Sequence, residues 1–146
     1  MTKKAHGFTL VEILVVVTII GMLAAIGLFT YGQFSKQSRD ARRKSDLEVI
    51  RSAVELYRSS NNAYPLSITF GGDICDPGGC ASGTYLKTVP NDPRSNSGAT
   101  YYYTSTGSDY TLGATTEVVS SSSCGDCSTS TGTQACTYCL GPYGPK

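Results

Sequence analysis

Seventeen consecutive residues, Ile13 to Phe29 (ILVVVTIIGMLAAIGLF), carry no charge, and Thr18 is their one polar side chain. Between Lys4 and Lys36 the only formal charge is Glu12. With Phe8 to Val11 in front and Thr30–Tyr31 behind, the run reaches the about 20 apolar residues that a bilayer-spanning helix needs. A cleaved secretory signal has a shorter apolar core of about 7–15 residues, followed by a small-x-small cleavage site. Here the run is longer, and amphipathic helix pattern follows it directly. A helix hidden in a soluble core is disfavoured too: of 146 residues, too few remain to surround it.

The helical pattern continues past the apolar run. Residues 33–60 contain no Pro or Gly, and Leu47, Ile50, Val54 and Tyr57 recur at steps of three and four, one stripe of a helix. Asp40 and Lys44 are spaced i,i+4, and Glu55 and Arg58 i,i+3, both favourable pairings on a helix surface. Asn61, Asn62 and Pro65 end the pattern. One helix from Phe8 to about Ser60 is expected, roughly 80 Å long at 1.5 Å per residue. Its first half is apolar all round and its second half amphipathic.

From residue 61 onward Gly, Ser and Thr dominate. Tyr101–Thr104 and Tyr110–Ala114 read as a β-hairpin joined by the polar turn Ser105–Asp109. Ile68–Phe70 and Tyr85–Leu86 are expected as short partners, and Thr115–Val119 as an extension of the second strand. An isolated hairpin is marginal, so the apolar stripe of the helix is the surface this sheet should cover. In Tyr101-Tyr102-Tyr103 alternate side chains face opposite ways, one face for the helix and one left exposed. The expected fold is α+β: one long N-terminal helix with a small antiparallel sheet packed on its C-terminal half.

All six cysteines lie in this part, as Cys75-x4-Cys80 and Cys124-x2-Cys127-x8-Cys136-x2-Cys139. Two CxxC units suit four thiolates around zinc, although eight residues between them is shorter than the usual ribbon. A redox CxxC opens a helix, and none is signalled here. An even count in a small, loop-rich domain with a thin core favours disulfides. Cys75–Cys80 is the expected local pair, with Cys124 and Cys127 bridging Cys136 and Cys139 in an open order. Asp73, Asp76, Asp92, Asp109 and Asp126 lack the spacing of a calcium loop, so no metal site is expected. The lone His6, and Ser and Thr without a histidine partner, give no catalytic constellation; no enzyme and no cofactor are expected. A formal charge of +1 gives no reason to expect nucleic acid as a ligand.

The junction Gly7-Phe8-Thr9-Leu10-Val11-Glu12 carries the most specific signal. A short basic stretch, MTKKAHG, precedes it. A carboxylate at bilayer depth costs about 2.5–3.5 kcal/mol at the centre on insertion scales and less near the edge, so Glu12 either marks the interfacial end of the helix or awaits a cation. GFTLVE, followed by TIIGMLAAIG, resembles the class III leader and N-terminal helix of the type IV pilin and type II secretion pseudopilin family over residues 4–28. The resemblance implies cleavage after Gly7 by a membrane prepilin peptidase and N-methylation of the new terminus, Phe8. It implies pairing of Glu12 with the Phe8 amine of a neighbouring subunit in a helical homo-oligomeric filament built by pilus or secretion machinery.

Three segments follow from that resemblance: 1–7 a cleaved leader, 8–31 a membrane and fibre-core helix, and 32–146 an extracellular head. The precursor is expected as a single-pass protein of the inner, cytoplasmic membrane with its head outside, the polymer as a surface pilus or pseudopilus. Such pilins often carry proline where this chain has Phe29; Gly21, Gly27 and Gly32 are the alternative weak points of the helix. Major pseudopilins often bind calcium in their loops and usually have Trp where this chain has Arg94. The flank Lys36, Arg39, Arg42, Arg43 and Lys44 outnumbers Lys3 and Lys4, which by the positive-inside rule favours a cytoplasmic C-terminal part; the more specific motif argues the opposite. Residues 31–60 hold seven basic and four acidic groups and residues 61–146 three and six, an asymmetry that suits head-to-side packing between copies. The rival expectation is a bitopic membrane protein with a zinc-binding cysteine-rich module.

Overall fold

The computed structural model of the chain describes residues 7–118, 124–129 and 132–146. Helix α1 covers Leu10–Asn61, as the two joined periodicities predict. The chain divides into two compact units, Met1–Lys36 and Gln37–Lys146. In the first, every described side chain from Leu10 to Gly27 is exposed. In the second, residues 37–61 of α1 are the element on which the strands are laid.

Helix α1 stops where the asparagines are. Asn62 takes a left-handed backbone (φ +57°), and its N–H donates to Arg58 O at 2.8 Å, the αL cap in which Asn is the usual substitute for Gly. The Asn61 side chain donates to Tyr57 O at 3.1 Å, satisfying another terminal carbonyl.

Among the described residues eight short strands follow: β1 (Ile74–Cys75), β2 (Thr84–Leu86), β3 (Tyr102–Ser105), β4 (Tyr110–Ala114), β5 (Asp126–Thr129), β6 (Gly132–Ala135), β7 (Tyr138–Gly141) and β8 (Gly144–Pro145). They form antiparallel sheets of order β1-β2, β3-β4-β7-β8 and β5-β6. The β3–β4 hairpin is the expected one, shifted by a residue at its first strand, with Tyr102 opposite Gly113 and Ser105 opposite Tyr110. Gly107 turns it at φ +84°. Two expectations fail. Ile68–Phe70 is not a strand, and β2 pairs with Ile74–Cys75 instead. Thr115–Val118 does not prolong β4, because the N–H groups of Glu117 and Val118 turn to Asp40 (3.0 and 2.8 Å) rather than to a neighbouring strand. Val119 lies outside the described residues.

The core sits on the predicted stripe. Leu47, Ile50 and Val54 are fully buried, with Tyr57 packed at the edge, against Tyr64, Ile74, Val89, Tyr101, Tyr110, Leu112 and Leu140. Each large aliphatic side chain removed from water contributes about 1.5–3 kcal/mol. Tyrosine fills what aliphatics leave: Tyr64 meets Tyr110 edge-on at 4.6 Å between ring centres, and Phe70 meets Tyr101 at 5.8 Å. Their hydroxyls find partners, Tyr101 donating to Asp46 at 2.8 Å and Tyr103 to Pro65 O at 2.6 Å. Burial pushes the Tyr103 phenol up to about 12. Tyr101 and Tyr103 face inward as alternation requires, but Tyr102 is only half-exposed: a Cβ on Gly125 would lie 2.5 Å from its ring. The outer face of the sheet is therefore covered by the cysteine-rich segment.

A charged cluster ties the helix to two loops. Arg43 is 2% exposed; it grips Asp92 with Nε and Nη2 at 2.7 and 3.1 Å and donates from Nη1 to Asp40 (2.8 Å) and Glu117 (3.0 Å). A planar guanidinium suits such a site because its donors are fixed in a fork. Burial alone disfavours the Arg43 charge, yet its hydrogen bonds to Asp92, Glu117 and Asp40 outweigh it and raise its pKa. Arg39 Nε donates to Glu117 at 2.7 Å. That bond, assisted by Arg43 and opposed by burial, lowers the Glu117 carboxyl to about 2 from an ordinary 4.5. Two cations of the basic flank are thus turned into the fold, so counting them overstates the charge that flank offers a membrane surface.

A carboxylate with a depressed folded pKa stabilises the fold above its unfolded pKa and ceases to do so as pH falls through the folded one. The Glu117 contribution, on the order of 3 kcal/mol, should be complete above about pH 4.5 and lost by about pH 2. Thermal unfolding of the full chain in detergent, followed by tyrosine near-ultraviolet dichroism, should show Glu117→Gln less stable than the parent at pH 7. The two should converge as pH approaches 2.

Candidate functional site

Gly7, Phe8 and Thr9 precede the helix, and Phe8 is 80% exposed. Thr9 Oγ1 accepts the N–H of Glu12 at 3.2 Å, while Glu12 Oε2 accepts the N–H of Thr9 at 3.4 Å. This reciprocal arrangement is a capping box, which satisfies two donors that a helix N-terminus otherwise leaves unpaired. The carboxylate also sits at the positive end of the helix dipole. Reading Glu12 for its charge alone misses this role, although Thr9-Leu10-Val11-Glu12 spells the T-x-x-E signature. Beyond the cap lies an all-apolar surface: Leu10 is 80% exposed, and Ile13, Leu14 and Val17 are each about half exposed or more. This helix is the described one long and apolar enough to cross a membrane, by length and composition.

The six cysteines are joined as Cys75–Cys80, Cys124–Cys139 and Cys127–Cys136, and no described cysteine is free. The second and third bridges are nested and staple the β5–β6 hairpin over β4 and β7. Cys127, Cys136 and Cys139 are buried to 1% or less. Gly113 of β4, opposite Cys139, explains how the bridges come so close: a Cβ there would lie 2.8 Å from Cys136 Sγ and 3.1 Å from Cys124 Sγ. Nothing in the cysteine spacing identifies Gly113, whose role appears only once β4 is set beneath both bridges. One described group has metal-ligating atom types, Asp73 with Cys75 and Cys80, but its two sulfurs are spent on each other and are not thiolates. Asp92 is taken by Arg43, Asp76 accepts from Tyr85 and Asn61, and Asp109 pairs with Lys146. The structure thus distributes these aspartates among separate partners.

The model of the prokaryotic N-terminal methylation motif matches residues 2–28. The type II secretion system core protein G of Pseudomonas aeruginosa is 33% identical over 125 residues, 77% of this chain and 85% of that protein. The chain belongs to the type IV pilin and type II secretion pseudopilin family. The core protein G of Vibrio cholerae is 28% identical over 77% of this chain and 82% of its own length. A probable minor fimbrial protein of Dichelobacter nodosus is 40% identical over 75 residues, 51% of this chain and 45% of that protein. No solved structure matches the chain significantly.

This member of the pilin and pseudopilin family combines the long helix with three cross-links in its second unit. Helical backbone is unbroken through position 29, where many pilins carry proline. The position at which pseudopilins usually carry Trp holds Arg94, whose N–H donates to Asp92 Oδ1 at 2.7 Å and whose guanidinium lies 3.8 Å from Glu117. The loop is therefore fastened by charge rather than by an aromatic. Disulfides typically contribute about 2–4 kcal/mol each, and here two of them depend on one missing side chain. Gly113→Ala should leave thiols that alkylate in the unreduced full chain, counted by mass spectrometry, where the parent shows none.

Proposed function

We propose that the chain is a structural subunit of a pilus or pseudopilus, made as a membrane-anchored prepilin. Its leader, residues 1–7, is removed after Gly7 by a prepilin peptidase, and Phe8 becomes the methylated terminus of residues 8–31, the membrane and fibre-core segment. The subunits then polymerise through these helices into a filament outside the cytoplasmic membrane, presenting residues 32–146. The observation that carries this reading is the conjunction of the methylation motif with an apolar helix exposed on every side. An all-apolar helical surface is stable only in lipid or against other apolar helices. A bundle of identical helices supplies the second environment when the first is left.

Glu12 is the assembly residue in this reading. Its carboxylate has about four acceptor sites, and the capping box uses one of them. Space remains for the Phe8 ammonium of an adjacent copy, an ion pair that strengthens as water is excluded. The rival zinc module is not favoured, because the cysteines it needs are bonded to one another.

Two substitutions separate the cap from the charge. Glu12→Gln keeps an acceptor for the Thr9 N–H, since glutamine also serves in capping boxes, but removes the negative charge; Glu12→Ala removes both. Both variants should remain membrane-inserted and be processed, and both should fail to yield surface filaments. Filaments from the parent, seen by electron microscopy, should begin at methylated Phe8 by N-terminal sequencing. Normal filaments from Glu12→Gln would show that the cap, not the ion pair, is what assembly needs.

A further inference from the structure

The three disulfides stand in unlike surroundings. Cys127 and Cys136 are fully buried and Cys139 is 1% exposed. The half-buried Cys124 turns its sulfur onto β4, where a Cβ on Gly113 would lie 3.1 Å from it. Cys75–Cys80 differs: Cys80 is exposed and Cys75 half-buried, and both line an open cleft of about 440 Å³ together with Tyr57, Ile68, Thr69 and Asp73. Exchange between a thiol and a disulfide requires a thiolate to reach one of the two sulfurs, so access decides which bridge reacts. The ring closed by Cys75–Cys80 is short and holds no core residue, residues 77–80 being exposed throughout.

That ring also steadies the end of α1. Asp76, its second residue, accepts from Tyr85 Oη and from Asn61 Nδ2 (3.1 Å), the amide that also donates to Tyr57 O. Tyr85 in turn meets the Tyr57 ring edge-on at 5.3 Å between centres. A change in the ring is therefore felt at the last turn of the helix. The stripe Leu47–Ile50–Val54 lies further back along α1, and the nested bridges are on other strands.

We infer that Cys75–Cys80 is a thiol–disulfide exchange site, opened by a soluble dithiol while the nested bridges stay closed, and that its opening loosens the last turn of α1. One thiolate of the dithiol attacks Cys80 Sγ, the more exposed sulfur. The Cys75–Cys80 bond breaks, and Cys75 leaves as a thiolate and takes up a proton. The second thiolate of the reductant then attacks the reductant's own sulfur in the mixed disulfide and releases Cys80, which is protonated in turn. The chain gains two electrons and two protons, and the dithiol is oxidised to its disulfide. Asp73, with a carboxylate oxygen within 4.8 Å of both sulfurs, repels the arriving thiolate and so restrains the first step.

The test treats the full chain in detergent, near neutral pH, with dithiothreitol, quenches it with iodoacetamide over time and maps the labelled cysteines by mass spectrometry. Cys75 and Cys80 should be labelled at least about tenfold faster than the other four, which must wait for local unfolding. Asp73→Asn should speed that labelling about fivefold, the Coulomb energy of one exposed charge at this distance, and the gain should shrink in high salt. Once the pair is open, amides of residues 57–62 should exchange hydrogen faster while those of residues 47–54 stay unchanged. The double variant Cys75→Ser, Cys80→Ser should show the same fast exchange at residues 57–62 without any reductant. Equal labelling of all six cysteines, or earlier labelling of the nested four, overturns the exchange site. Unchanged hydrogen exchange at residues 57–62 in both the opened chain and the double variant overturns its coupling to the helix.

Discussion

An apolar helical surface without a polar side is the constraint to which the rest of this chain answers. From Leu10 to Gly27 no described side chain is buried, and exposed apolar area costs about 25 cal/mol per Å² when water must cover it. The segment is therefore defined by what surrounds it: lipid first, then copies of itself. This requirement explains why the helix start is capped from within. Thr9 and Glu12 satisfy each other's backbone donors, so the end of the helix brings fewer unpaired N–H groups into a medium that offers no hydrogen bonds.

The head solves a different problem. A unit of residues 37–146 has a limited core, and its strands are two to five residues long, too short to hold one another by ladder bonds alone. Three devices compensate, each acting on a different segment. The stripe Leu47–Ile50–Val54 gives the sheet an apolar floor, the nested bridges hold the β5–β6 hairpin over β4, and Arg43 binds the loops at Asp92 and Glu117. The last is the most conditional. A buried guanidinium is tolerated only with its donors matched, and removing one partner of such a cluster is costlier than the pair is worth. Arg43 is accordingly a device of position as much as of stability, fixing where two irregular segments meet α1.

The features legible in the sequence are those set by periodicity or by a local rule. The long helix follows from an apolar run joined to a stripe, its end from Asn61 and Asn62, and the β3–β4 hairpin from alternation around a polar turn. The illegible ones depend on partners distant in the chain. No window contains both Arg43 and Asp92, so the basic flank reads as solvated surface when two of its five cations are turned inward. Strands β5 and β6 are Ser-, Thr- and Gly-rich, and β7 and β8 are only four and two residues long; they exist because disulfides and a neighbouring strand hold them, and neither leaves a periodic trace. Tyr102 reads as exposed for the same reason, since the segment that covers it is more than twenty residues away in sequence.

The separation of duties has a consequence for Glu12. If the carboxylate served only the neighbouring subunit, each precursor would hold an uncompensated charge near the membrane edge until assembly. If it served only the cap, there would be no reason for its charge, since glutamine caps as well. Under the proposed assembly role, the box with Thr9 would let one side chain do both in sequence. A hydrogen bond and the helix dipole moderate the cost of the charge while the subunit waits, and the remaining lone pairs are available when an amine arrives. Favourable association then requires only that the ion pair form in a drier setting than lipid headgroups provide, which the packed apolar helices supply at the same moment. In that proposal helix packing and charge pairing are one event seen from two sides, the apolar area supplying the dry setting in which the Glu12 pair gains strength.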